Sequence, residues 1–161
     1  MRIVLAGAIL SVVWACGPPP REVHLKDQDK AVSIVLDDFH DAAAKADFKR
    51  YFNHFARNGV FLGTDATERW NVEEFKNYAR PHFRKGKGWT FTAVERFVSV
   101  SVDQNTAWFD ERLSSKSYGE CRGSGVLIRS GESWKLAQYN LTIPIPNKLA
   151  RKFVKMIRDE E

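Results

Sequence analysis

The hydrophobic period of the chain changes once, at Trp89, and that change limits the possible folds more than any other feature. Before it, apolar residues recur at helical spacing: Val32, Val35, Leu36, Phe39 and Ala43 in one run, Val72, Phe75, Ala79 and Phe83 in another. After it, "TFTAVERFVSVSVD" alternates, with Val94, Val98, Val100 and Val102 on one parity and Phe91, Ala93 and Phe97 on the other. "TAWFDERL", "CRGSGVLIR" and "SWKLAQYNLTIPIP" read as further strands, joined by turns at Asp103-Gln104-Asn105 and Ser130-Gly131-Glu132. Pro144 and Pro146 stop the last of them. Helices, a short strand, a helix and then a meander define an α+β class, with N-terminal helices packed on one face of a curved antiparallel sheet. Several strands are apolar on both parities, so the second sheet face also needs cover, and a second subunit would supply it.

Local signals punctuate the helical part. Asp47 is expected to cap a short helix with Phe48, Phe52 and Phe55 on one face, broken at Asn58-Gly59 and followed by a strand over 60–63. Asn71, with Glu74 three residues on, forms a capping-box pattern for the next helix, which Gly86 and Gly88 end. A basic helix over roughly 147–158 closes the chain.

The first residues are of another kind. Residues 1–15, "MRIVLAGAILSVVWA", place Arg2 before a short apolar run and then small residues, the pattern of a signal peptide. "VWAC" is similar to a bacterial lipobox with Cys16 as the lipid-bearing residue, although Trp14 departs from the usual small residue. The alternative is cleavage near Ala15 with an unmodified cysteine. Residues 16–28, with three consecutive prolines, read as an extended spacer behind the anchor. The expected location is the bacterial cell envelope, as a membrane-anchored lipoprotein or a secreted protein. With Cys16 lipidated, Cys121 has no partner within the chain, so no disulfide staple is expected.

Composition bounds the rest. A chain of 161 residues, 43% hydrophobic and 28% charged, makes one globular domain with a real core. Eleven Phe and five Trp point to a wide core or an aromatic-lined cavity. The net charge of +5 is spread along the chain without a nucleic-acid-binding motif, so no nucleic-acid partner is expected. There is no H-x-x-x-H, H-x-H or cysteine pair at metal-ligand spacing, and no glycine-rich phosphate loop in a strand–loop–helix context. Neither a metal nor a cofactor is expected.

The stretches "VFLGTDATERW", "TAWFDERL", "RGSGVLIR" and "WKLAQYNLTIPIPN" resemble the SnoaL-like branch of the nuclear transport factor 2-like superfamily, which includes ketosteroid isomerase. The likeness covers residues 29–147, leaving 148–161 as the basic C-terminal helix. It implies a cone-shaped fold with one open mouth, a pocket between sheet and helices, and a tendency to dimerise through the outer sheet face. Relatives often carry W-x-x-x-H-x-H-x-S on the last strand. Here Trp134 matches the Trp, while Gln138, Asn140 and Thr142 stand at the His, His and Ser positions.

Candidate site residues follow. Asp65 stands near the position of the isomerases' catalytic base, one or two residues beyond it; the competing role is a turn-forming Asp. Glu111, if it faces inward, is a second carboxylate candidate and needs a partner, for which Arg122 on the next strand is the natural choice. That pair would bind a polar ligand or be structural. Trp70 and Trp108 would line the pocket or fill the core, and Gln138 and Asn140 would offer neutral hydrogen-bonding groups. Tyr51 and Tyr139 carry hydroxyls suited to an oxyanion or to a core with a wet tip. His82 reads as a helix-end residue, and His40 and His54 as ordinary helical histidines. Two functions remain open: a small-molecule-binding envelope lipoprotein with metal-free acid–base chemistry at Asp65 or Glu111 if it has a reaction, or a dimeric scaffold. A cone filled with aromatic rings favours the scaffold; an open one with Glu111, Arg122 and Asn140 converging favours the ligand.

Overall fold

The structure, a computed structural model, describes residues 20–160, with side chains described from residue 27 onward. The leader and Cys16 lie outside the described residues. Helix α1 (Pro20–Ala44) buries Val32, Leu36, Phe39 and Ala43 along one stripe. It begins at Pro20, inside the segment expected to be an extended spacer, because a proline's fixed φ suits the first helical turn. Ala46, at φ 53°, turns the chain, and Asp47 caps α2 (Phe48–Asn53) by accepting from the Arg50 amide. Arg50 then pairs with Asp38 and Asp41, tying α2 to α1.

The strand after α2 starts earlier than expected. Strand β1 runs Phe55–Leu62, so Phe55 is a strand residue and Asn58-Gly59 lies within the strand. Its parallel partner, the last strand, decides this: the Leu136 amide donates to the His54 carbonyl at 2.7 Å. Non-local pairing overrides the local helical spacing. A register irregularity between Phe55 and Val60 absorbs Asn58-Gly59, and a Cβ on Gly59 would lie 2.8 Å from the Leu136 carbonyl oxygen. Strand β2 (Arg69–Asn71) folds back on β1, pairing Trp70 with Phe61.

Helix α3 (Val72–Arg84) has the expected capping box at Asn71 and Glu74 and buries Val72, Phe75, Ala79 and Phe83. Gly86, at φ 65°, releases the chain. The meander follows as β3 (Thr92–Val100), β4 (Thr106–Ser115), β5 (Gly119–Ser130) and β6 (Ser133–Thr142). The sheet order is β2-β1-β6-β5-β4-β3, with β1–β6 parallel and the other pairs antiparallel. The helical layer and the inner sheet face enclose one core, and α4 (Asn147–Glu160) follows with no buried residue.

Two bulges set which side chains face that core. On β3 the register shifts between Ala93 and Glu95, leaving Val94 extra and turning Arg96 inward. The simple alternation would have placed Phe97 with Ala93; instead Phe97 is 60% exposed. On β6 the register shifts opposite Val126 and Leu127, leaving Ala137 extra. Trp134 and Leu136 before it, and Tyr139 and Leu141 after it, are all buried.

Candidate functional site

Glu111 is the centre of the inner face. It is 1% exposed, flanked on β4 by the buried Phe109 and Leu113. A carboxylate in such a place must be fully hydrogen-bonded. His40 Nε2 donates to its Oε1 at 2.7 Å, the Tyr139 hydroxyl donates to the same oxygen at 3.1 Å, and Arg96 Nε donates to Oε2 at 2.8 Å. Arg96 continues to Asp37 at 2.7 Å and to the Ser33 carbonyl at 3.0 Å, so the network sews β3 and β4 to α1. Burial pushes the Glu111 carboxyl up, but His40 and Arg96 outweigh it and hold the group below its ordinary range. Burial, then the Glu111 charge, pushes the Tyr139 phenol well up. Glycine is required opposite: a Cβ on Gly123 would lie 2.5 Å from the Tyr139 hydroxyl and 2.7 Å from Glu111 Oε1.

From this network a row of near-parallel rings runs outward. Tyr139 faces Phe61 (5.8 Å, 8°), Phe61 faces Phe75 (4.0 Å, 17°), Phe75 faces Trp70 (5.7 Å, 10°), and Trp70 faces Tyr78 (4.6 Å, 24°). The row ends at a cavity of about 150 Å³ at the mouth, walled by Phe61, Trp70, Tyr78, Trp89, Phe91 and Tyr118 and rimmed by Gly63, Thr64 and Glu68. Deeper in, between His40, Tyr139, Phe61 and Trp89, a gap of about 10 Å³ remains, close to the room for one water. Outside the mouth, a groove of about 530 Å³ shares Tyr78, Trp89, Phe91 and Tyr118 and adds His82, Lys87 and Lys116. The arrangement is a flat aromatic slot with a cationic lip and a hydrogen-bonded floor.

The expected site residues divide between two faces. Trp70 lines the mouth cavity. Asp65 lies in the β1–β2 turn, where its carboxylate accepts from the Thr67 amide at 2.8 Å and the Thr67 hydroxyl at 2.6 Å; those bonds lower its pKa. It is exposed and absent from the cavity wall, and its bonds are those of a turn residue. The Glu111–Arg122 pair does not form. In register Glu111 faces Gly123 and Arg112 faces Arg122, which puts both arginines on the outer face, and Arg96 takes the place next to Glu111. Trp108, one residue out of phase with Phe109, is 51% exposed on that outer face. Gln138 and Asn140 also stand outside, because the extra residue Ala137 reverses the parity that Trp134 and Leu136 set. The cone holds aromatic rings and a closed carboxylate network, with Arg122 and Asn140 outside it.

A SnoaL-like domain model matches residues 32–146. The chain belongs to the SnoaL-like family. Solved structures with the same fold include a nuclear transport factor 2-like protein of unknown function from Pseudomonas putida, 11% identical, with a TM-score of 0.64, covering 76% of this chain and 91% of that one. A candidate dehydratase of that superfamily from Streptomyces avermitilis is 16% identical, with a TM-score of 0.61 over 75% of this chain and 99% of its own. A cystatin-like fold protein from Burkholderia xenovorans is 14% identical, with a TM-score of 0.60 over 74% and 95%. No curated protein matches the chain.

For this SnoaL-like domain, the sequence pointed to Glu111 and Tyr139 of the floor and to Trp70 of the wall, but not to His40 and Arg96 as the partners of Glu111 nor to the rest of the wall. His40 carried a usable signal: it lies eight residues after Val32 and four after Leu36, on the buried stripe of α1, where a polar residue needs a partner. Tyr78 follows Phe75 by three and sits at the edge of the buried face of α3. Trp89, Phe91 and Tyr118 come from loops and strand ends, whose approach no spacing encodes.

Proposed function

We propose that this SnoaL-like protein holds a small, flat, partly apolar molecule in the mouth of its cone, as a lipoprotein of the cell envelope anchored through Cys16. The deep cone is filled with rings, and Arg122 and Asn140 do not converge on Glu111, which is the arrangement expected of a scaffold; the aromatic-walled cavity left open at the mouth is what carries the ligand reading. Planar ligands gain from offset stacking on such walls, and a pocket with few polar groups fixes orientation with them. At about 150 Å³ the cavity suits a single-ring ligand. An anionic substituent would extend toward Lys87 and Lys116 in the adjoining groove. Acid–base chemistry at this site would run through His40, which touches the inner gap and is backed by Glu111. The candidate dehydratase among the structural neighbours makes dehydration or isomerisation the reaction to screen first. The test is mass spectrometry of small molecules that co-purify with the chain, alongside a Trp89→Ala variant. A planar compound retained by the native chain and lost from the variant supports the reading; equal retention by both refutes it. For the anchor, Cys16→Ser should release the protein from membranes, and unchanged association would remove the lipoprotein part.

A second reading, a homodimer joined through the outer sheet face, is favoured by Phe97, Val94 and Trp108, all more than half exposed there. Sedimentation equilibrium of the native chain and of Trp108→Glu tests it: a native dimer that the substitution dissociates supports it, and a native monomer refutes it.

A further inference from the structure

Helix α4 is amphipathic without a partner. None of its residues is buried. On a helical projection of about 100° per residue, Leu149, Ala150, Phe153, Val154, Met156 and Ile157 occupy an arc of about 160°. Lys148, Arg151, Lys152, Lys155 and Arg158 fill an arc of about 120° on the opposite side. The segment carries five cations against two acids, Asp159 and Glu160. An isolated helix of this length is marginal in water unless its apolar face is covered. No helix among the described residues is long and apolar enough to cross a membrane, so α4 cannot take its cover by spanning.

We propose that α4 is a membrane-surface segment that lays its apolar face into an anionic lipid leaflet. Apolar residues on one side and closely spaced Lys and Arg on the other are the composition that holds a helix in the plane of a bilayer interface. The long cationic side chains bordering the apolar arc reach the headgroups while their stems stay with the apolar face. A second α4 is a poorer cover, because packing two apolar faces together brings the flanking cations of both copies alongside each other. The inference does not depend on lipid at Cys16. It concerns the opposite end of the chain and is read by a label placed there.

The test uses the full chain with Cys16→Ser and Ile157→Cys, labelled at residue 157 with a polarity-sensitive fluorophore; the remaining Cys121 is 1% exposed. A second preparation carries the label at Asp159→Cys on the polar side. Vesicles of phosphatidylcholine alone are compared with vesicles containing one-third phosphatidylglycerol. The expected result is a blue shift of the residue-157 label with anionic vesicles, a weaker or absent one at residue 159, and reversal in high salt. Replacing Lys152 and Lys155 by Gln should raise the lipid concentration for half-maximal shift about 30-fold, from about 1 kcal/mol for each cation near the surface. An equal response to neutral vesicles would overturn the proposal. So would no response to either, or a shift without vesicles that grows with protein concentration, which would assign the face to a second copy.

Discussion

Residues on the two faces of the β4–β5 ladder meet opposite fates. Glu111 is buried and bonded by three side chains from α1, β3 and β6. Trp108 and Arg122, on the other face, are exposed, and Arg122 has Arg112 and Thr142 opposite it in register, neither of them an acid. A carboxylate is the costlier group to bury, yet it occupies the inner position, while the tryptophan stands outside. The difference lies in what each face can supply. The inner face offers a histidine, a tyrosine and an arginine held in place by packing, and the outer face offers water or another molecule.

Glu111→Gln gives the largest expected effect. It removes the charge that compensates the half-buried Arg96, and breaking one side of a buried pair costs up to about 3–5 kcal/mol. Urea unfolding would measure it. A loss below about 1 kcal/mol would mean that Arg96 finds Asp37 and water sufficient, and the contrast between the faces would fall. Gly123→Ala comes next. Its Cβ would press on the Tyr139 hydroxyl and the Glu111 carboxylate, and overpacking of that kind costs about 1–3 kcal/mol. Combined with Glu111→Ala, which removes one obstacle, the substitution should cost less than it does alone, and a double-mutant cycle reads that coupling.

Acid sharpens the same contrast. The folded Glu111 carboxyl is held below its ordinary value of 4.5, so the unfolded chain takes up that proton first. The resulting stabilisation is fully present above about pH 4.5 and is lost as pH falls through the folded value. His54 acts earlier. Burial lowers its pKa from 6.5 against the pull of Asp38, so it favours the fold above that value and costs stability as pH falls below it. Unfolding free energy should therefore decline gently from about pH 6.5 and more steeply below about pH 4.5, the steep limb flattening in Glu111→Gln.

The fold was largely legible because it rests on periodicity and caps. The α1 stripe, the Asn71–Glu74 capping box with its four buried followers, and the meander turns are local features of the chain. What was not legible depends on single extra residues. Val94 and Ala137 each shift a register by one, and one residue reverses every later side chain on that strand. That is why Arg96 took the place expected for Arg122, and why Gln138 and Asn140 left the cone. The turn bond of Asp65 was legible in "TDATE", because an Asp two residues before Thr is a ready turn acceptor. The mouth escaped because its walls come from three separate segments, brought together only by the curved sheet.

The smallest effect on the monomer fold should come from Trp108→Ser. An aromatic half exposed on the outer face contributes little to the stability of the monomer, so unfolding should change by no more than about 0.5 kcal/mol. A larger loss at micromolar protein that vanishes on dilution would be more informative than a null result. It would mean that the outer face is covered after all, by a second chain, because only mass action makes stability depend on concentration. A larger loss independent of concentration would show Trp108 supporting the sheet itself, perpendicular to the β4–β5 ladder and against Val126 opposite it in register. The two faces would then differ in polarity alone, and burial would no longer separate residues that hold the fold from residues free to meet a partner.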